Sequence, residues 1–192
     1  MAYVQVYTGN GKGKTTAAIG LAMRALGAGK RVYFLQFMKG KQYSEHNTLR
    51  TVSPDLTLVS TGKPYFIVMD SDACDEIARQ YGDSCVVFEK GNPPPEYVRI
   101  VNEAMDMARD AASSGDYDLV VFDELNCALH FGLVSFEEVR DLIDKRAGNT
   151  ELVFTGRGAP DELIEIADLV TEFKEIKHYY NQGVMARKGI EM

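Results

Sequence analysis

The 192-residue chain has no tryptophan and only three cysteines. Cys74, Cys85 and Cys127 are odd in number and lack paired metal-site spacing, which argues against a disulfide framework or a thiolate metal centre. They read as reduced thiols of a cytoplasmic protein. Histidine is also scarce. His46, His130 and His178 are far apart, and packing or surface positions suit them better than a metal cluster. Positive charge is in deficit: 21 Lys and Arg face 28 Asp and Glu, a formal net charge of -7, with no basic cluster. That disfavours a polyanion-binding surface, so no nucleic-acid partner is expected, although a local nucleotide site is not barred. No apolar run approaches the roughly 18 residues of a membrane span. The first strand begins almost at once, so no signal peptide is expected.

The rest of the composition is that of an ordinary globular domain, with 45% apolar and 26% charged residues, and the length suits one domain with a full core. The most informative stretch is Thr8-Gly9-Asn10-Gly11-Lys12-Gly13-Lys14-Thr15-Thr16. The β-forming run Tyr3–Tyr7 precedes it, and helix formers from Ala17 to Leu26 follow. Strand, glycine loop and helix are the context of a phosphate-binding loop. Glycines let successive N–H groups converge on one anion, and the helix N-terminus adds unpaired donors. Lys14 is expected on phosphate oxygens, and the Thr15 hydroxyl on Mg²⁺. The usual first glycine of the pattern is replaced by Thr8. The loop implies a nucleoside triphosphate and leaves the reaction open.

Further along, Arg31–Phe37 is a near-continuous apolar run, as in a strand buried on both faces. It ends in Met38-Lys39-Gly40-Lys41, whose lysines are either at a ligand-binding sheet edge or in a solvated turn. Leu56–Ser60 and Cys85–Phe88 read as short strands, Asp70–Tyr81 as a short helix, and residues 67–95 as an elaborated excursion of the single domain. A helix is expected over Glu96–Ser113. Asp118–Glu124 is an apolar strand ending in two carboxylates, the usual partner of a phosphate loop. Asp123 would hold Mg²⁺ directly or through water, and Glu124 would bind metal or act as a base. Ser135-Phe136-Glu137-Glu138 is a capping box opening a helix to about Lys145. The strand Glu151–Phe154 leads to Thr155-Gly156-Arg157-Gly158, where Arg157 either reaches phosphate oxygens or lies in a surface turn. A helix over Asp161–Ala167 and a strand over Leu169–Phe173 complete the pattern. No role can be read from the spacing of the tail, Lys177–Met192. Strands alternating with helices predict a mostly parallel, three-layer α/β fold.

These residues resemble the ATP:corrinoid adenosyltransferases of the CobA/BtuR family. The resemblance is carried by the loop from Thr8 to Ala18 and by Phe37-Met38-Lys39-Gly40, Val121–Leu125, Thr155–Gly158 and Ala167–Glu172. Ile176-Lys177-His178 and Gly183–Glu191 carry it to the end of the chain. It implies a P-loop NTPase-type (RecA-like) fold, a homodimer, and transfer of the 5′-deoxyadenosyl group of ATP to the Co(I) of a reduced corrinoid, with triphosphate leaving. The substrate is cobalamin or a precursor, and a reductase supplies the electron. ATP lies reversed in the loop, its γ-phosphate where other members hold the β. Thr8, Gly9, Asn10, Gly11, Lys12, Gly13, Lys14, Thr15, Thr16 and Arg157 would bind ATP. Thr15 and Glu124 match the metal ligands, with Asp123 beside them, and Glu124 then has no role as a base. Lys14, Arg157 and Mg²⁺ would stabilise the departing triphosphate. The family uses aromatic side chains to displace the lower axial ligand of the corrinoid. Tyr65 and Phe66 stand at the matching place, with ordinary packing as the alternative. The excursion at 67–95 reads as longer than in family members, and an N-terminal extension found in some is missing, so corrinoid choice and closure are expected to differ. Two other functions fit the same loop: a small-molecule kinase with Glu124 as base, and a non-catalytic ATP- and corrinoid-binding delivery module.

Overall fold

The computed structural model describes residues 2–69 and 85–191. The helix expected over Asp70–Tyr81 and the thiol of Cys74 lie outside them. Six parallel strands form the central sheet: β1 (Val4–Thr8), β2 (Val32–Gln36), β3 (Leu56–Ser60), β6 (Leu119–Asp123), β7 (Glu151–Thr155) and β8 (Leu169–Glu172). They are ordered β3-β2-β6-β7-β1-β8. Two further strands, β4 (Phe66–Met69) and β5 (Cys85–Phe88), pair with each other in a separate parallel ribbon.

The helices are α1 (Lys14–Gly27), α2 (Ser44–Leu49), α3 (Pro95–Ser113), α4 (Leu125–His130), α5 (Phe136–Lys145) and α6 (Asp161–Ile166). The apolar runs of β2, β6 and β7 exist because both sheet faces are covered. Alternate residues Phe34, Val121 and Val153 meet Ala18, Ala22 and Ala25 of α1. Their neighbours Leu35, Phe122 and Phe154 belong to the larger core on the other face, with Tyr97, Val101, Met105 and Ala108 of α3 and Val139 and Leu142 of α5. The apolar stripe of α3 is therefore packing. At the head of α5, the Glu138 N–H donates to Ser135 Oγ while the Glu138 carboxylate accepts from the Ser135 N–H. The expected capping box is present.

Strand register sets up the site. Gln36 lies opposite Asp123 across the β2–β6 pair, and Phe122 opposite Phe154. The C-terminal ends of three neighbouring strands thus bring Gln36, Asp123 and Thr155 into one row. Beyond β7, Tyr7 pairs with Thr155, which brings the loop after β1 to the same edge.

Candidate nucleotide site

The loop between β1 and α1 is shaped by its glycines. Gly9 and Gly13 have φ of 98° and 123°, in the region open to glycine. A Cβ on Gly9 would stand 2.5 Å from the Phe173 carbonyl oxygen. The edge of β8 holds the loop through two backbone bonds, Phe173 N–H to Thr8 O at 2.8 Å and Gly11 N–H to Phe173 O at 2.7 Å. Thr8, in place of the usual glycine, accepts the Ala159 N–H on its hydroxyl at 3.2 Å. It thereby ties the start of the loop to the segment after Arg157. Lys14 folds back to donate to the carbonyls of Gly9 and Gly11 at 2.7 and 2.8 Å. Burial lowers the proton affinity of its amine.

Asp123 is fully buried at the end of β6. Its Oδ1 accepts the hydroxyls of Thr15 at 2.8 Å and Thr155 at 2.7 Å. Its Oδ2 accepts the Gln36 amide at 3.0 Å and the Lys39 ammonium at 2.8 Å. Burial would push this carboxyl up, but Lys39 and the hydroxyl donors outweigh it and hold Asp123 below the ordinary range. Burial likewise opposes the charge of Lys39, yet Asp123 and Glu124 leave its ammonium above its usual value. Both partners are therefore ionised. With 12% side-chain exposure, Lys39 is an internal cation and not part of a solvated turn.

Glu124 follows in the left-handed region at φ 66°. It opens α4 without capping it through its side chain. Its N–H donates to the Thr155 hydroxyl at 3.1 Å, and its carboxylate accepts the Cys127 thiol at 2.8 Å. The backbone N–H of Arg157 reaches Cys127 Sγ at 3.2 Å. Burial, followed by the Glu124 charge, pushes the Cys127 thiol well up, so it is a neutral donor.

A cleft of about 800 Å³ runs along the loop, lined by residues Asn10–Thr16, Glu124, Cys127, Arg157, the Ile67–Met69 strand and the chain end at Ile190 and Glu191. Asn10, Gly11, Lys12, Gly13, Lys14, Thr15, Thr16, Glu124 and Arg157 thus share one wall system. Of the two aromatic residues expected at the corrinoid, Tyr65 stands edge-on to Tyr97 with ring centroids 5.6 Å apart, and its carbonyl accepts the Tyr97 hydroxyl at 2.7 Å. Phe66 opens β4 opposite Cys85. The residues right after this pair face the cleft.

Several participants were not picked out in the sequence: Lys39 as a partner of Asp123, Gln36, Thr155, Cys127 and the tail. Lys12 donates to Glu191 at 3.1 Å and to the Tyr179 hydroxyl at 3.3 Å, and Arg187 donates to the same carboxylate at 3.0 Å. The terminal segment is therefore fastened to the phosphate loop itself.

Among the described residues no group of three or more His, Cys, Asp or Glu is ready to hold a metal. The donors near the loop are oxygens, namely the Thr15 hydroxyl and the Glu124 carboxylate, with Asp123 behind. That set suits a hard cation completing its shell with phosphate oxygens and water. A parallel sheet, a glycine loop entering a helix, and a buried Asp joined to the helix-start threonine define a nucleoside-triphosphate-binding protein of the phosphate-loop class.

The chain belongs to the family described as ATP:corrinoid adenosyltransferase BtuR/CobO/CobP, which it matches over residues 1–192. The known reaction of that family is ATP-dependent adenosyl transfer to a corrinoid. The chain is 31% identical over 190 residues to the corrinoid adenosyltransferase of Escherichia coli K12, covering 97% of this chain and 83% of that protein. It is 32% identical to corrinoid adenosyltransferase CobA of Salmonella typhimurium LT2, with the same coverage. It is 33% identical to the corrinoid adenosyltransferase of Pseudomonas aeruginosa PAO1, covering 97% of this chain and 81% of that protein.

Proposed function

We propose that this protein transfers the 5′-deoxyadenosyl group of ATP to the Co(I) centre of a reduced corrinoid. The cobalt electron pair forms the Co–C5′ bond. The C5′–O5′ bond breaks, and triphosphate leaves with that bond's electrons. The observation that carries the reading is the loop–Asp123–Glu124 arrangement within a chain that matches the family from end to end.

The chemistry needs a stabilised leaving group and no base. The loop N–H groups other than that of Gly11, which the Phe173 carbonyl takes, receive the triphosphate together with the Lys14 ammonium and the Arg157 fork, their pre-set dipoles meeting the charge that grows as the C–O bond opens. Lys14 exchanges two backbone carbonyls for phosphate oxygens. Thr15 donates its hydroxyl hydrogen bond to Asp123, which leaves its oxygen lone pairs free for a cation. Thr15 and Glu124 would hold Mg²⁺, with Asp123 orienting Thr15 from behind. The ion would add further charge neutralisation on the triphosphate. Because Asp123 already accepts four donors, it acts through Thr15 and water.

ATP is bound reversed, its terminal phosphate deep in the loop and C5′ toward the Ile67–Met69 wall. Tyr65 and Phe66 are the aromatic pair that would meet the corrinoid on that side. Co(I) must be made by one-electron reduction of Co(II), so an electron-donating reductase is the expected partner. A homodimer, as the family resemblance implies, is the expected assembly.

The test mixes protein, Mg-ATP and chemically reduced cobalamin without oxygen. Loss of the Co(I) absorbance with a light-sensitive cobalt–carbon product and equimolar triphosphate is expected. ADP as product would favour the small-molecule kinase. ATP and corrinoid binding without turnover would favour a delivery module.

A further inference from the structure

His46 lies on α2, 1% exposed, away from the cleft wall described above. Its surroundings nevertheless lead back to Asp123. An ionised carboxylate can only accept, so Gln36 must present its amide NH₂ to Asp123, at 3.0 Å. The Gln36 carbonyl oxygen then faces His46 Nε2 at 2.6 Å, and that nitrogen must carry a proton. The other ring nitrogen, Nδ1, meets the backbone N–H of Tyr43 at 3.4 Å. A backbone N–H can only donate, so Nδ1 must be a lone pair. Both ends of the chain of bonds demand the same neutral tautomer, with the proton on Nε2. An imidazolium would set one N–H against another at Tyr43. Burial disfavours that charged form, against the opposing pull of Glu45.

The same ring closes a second route to Asp123. Tyr43 ends the loop that begins at Met38 and carries Lys39. The Lys39 ammonium sits 5.1 Å from the Tyr43 ring centroid and 2.8 Å from Asp123. His46 therefore touches both the amide and the loop that supply the two donors on Asp123 Oδ2.

We propose that His46 is a positioning residue for the magnesium–nucleotide site, locking the Gln36 amide and the Lys39 loop so that Asp123 holds Thr15 in its cation-binding orientation. This rests on the reading of Thr15 and Asp123 as the magnesium side of the ATP site, and is independent of corrinoid transfer.

The test is calorimetric ATP binding with and without Mg²⁺, on the wild type and on His46→Leu, His46→Asn, His46→Gln and Gln36→Leu. In the wild type Mg²⁺ tightens ATP binding. In His46→Leu and Gln36→Leu that gain falls about ten-fold, the low end for a residue behind a metal ligand, while Mg²⁺-free affinity stays within about two-fold. His46→Gln, which keeps a donor at the Nε2 position, recovers most of the gain. His46→Asn, which keeps only the acceptor for Tyr43, does not. The contrast between Gln and Asn carries the test should the leucine variant fail to fold. The double leucine variant is no worse than either single one, as expected of residues in one chain. An unchanged Mg²⁺ gain in the folded variants would overturn the role of His46, as would equal loss with and without Mg²⁺, or Gln behaving like Asn. Absence of any gain in the wild type would overturn the magnesium reading as well. Failure of adenosyl transfer in the Co(I) assay would leave this result standing.

Discussion

A buried ammonium against a buried carboxylate sets the character of the site. Lys39 and Asp123 are each held toward their charged forms by the other, so removing one leaves the other without compensation. Lys39→Met is expected to cost about 3 kcal/mol at pH 7, the low end for a broken buried pair, because Asp123 keeps three neutral donors. The pH dependence follows from the direction of the Asp123 shift. A lowered folded value means that the pair's stabilisation is full above about pH 4, the unfolded carboxyl value. It is lost as pH falls through the lower folded value. Lys39, raised, keeps its contribution up to about pH 10.4 and loses it above its folded value. The wild type and Lys39→Met should therefore differ most at neutral pH in urea unfolding and converge in acid. Lys14→Ala should leave the fold intact and lower transfer by about 10²-fold or more, the scale for losing one donor to a developing anion. At this scale Lys14, Thr15 and Asp123 were legible in the sequence, because loop and carboxylate strand occur as contiguous patterns. Gln36, His46 and Thr155 were not, and Lys39 was legible only as a lysine either at a ligand-binding sheet edge or in a solvated turn. Each acquires its meaning only when strand order brings β2, β6 and β7 side by side.

At the scale of elements, the strongest signals were local ones. The apolar runs of β2, β6 and β7 gave buried parallel strands, and the Ser135–Glu138 pattern gave its helix start. Ser135→Ala should cost about 1 kcal/mol. That is about 2–4 °C in Tm for a chain of this size, read by thermal unfolding. The short helix α4 went unseen, since six residues carry too little periodicity to register. Its entry residue is the informative one. Glu124 sits at φ 66°, a conformation that disfavours any side chain. The strained residue stands where its carboxylate accepts the Cys127 thiol and lines the cleft with the loop. Glu124→Gly would relieve that strain while adding freedom to the unfolded chain. Its stability should fall within about 1 kcal/mol of wild type, while Mg²⁺-dependent ATP binding is lost. The ribbon of β4 and β5 shows another limit. Both runs are short; they pair with each other, and β4 supplies the Ile67–Met69 wall of the cleft.

The whole molecule adds the tail. Lys12 and Tyr179 are 167 residues apart in sequence, so no local pattern could have joined them. The Glu191 carboxylate gathers Arg187, Tyr179 and Lys12, and these partners, Arg187 foremost, hold its proton affinity far below the ordinary carboxylate range. Glu191→Gln should free the terminal segment without moving the global Tm. Faster tail proteolysis and faster amide exchange in the loop would report it, and ATP should slow both. Parallel class and layering were legible from alternating strands and helices. The sheet order, with β1 between β7 and β8, was not, because it depends on which strand ends must meet at the site.

The account's central claim is that the bond broken in ATP is C5′–O5′, and that bond can be followed directly. ATP labelled with ¹⁸O at the bridging 5′ oxygen is incubated with the protein, Mg²⁺ and Co(I) corrinoid, and the products are weighed by mass spectrometry. The account predicts that the label leaves wholly in triphosphate, with an unlabelled adenosyl group on cobalt. Label retained in ADP or AMP would mean cleavage between phosphorus and oxygen, and would contradict it.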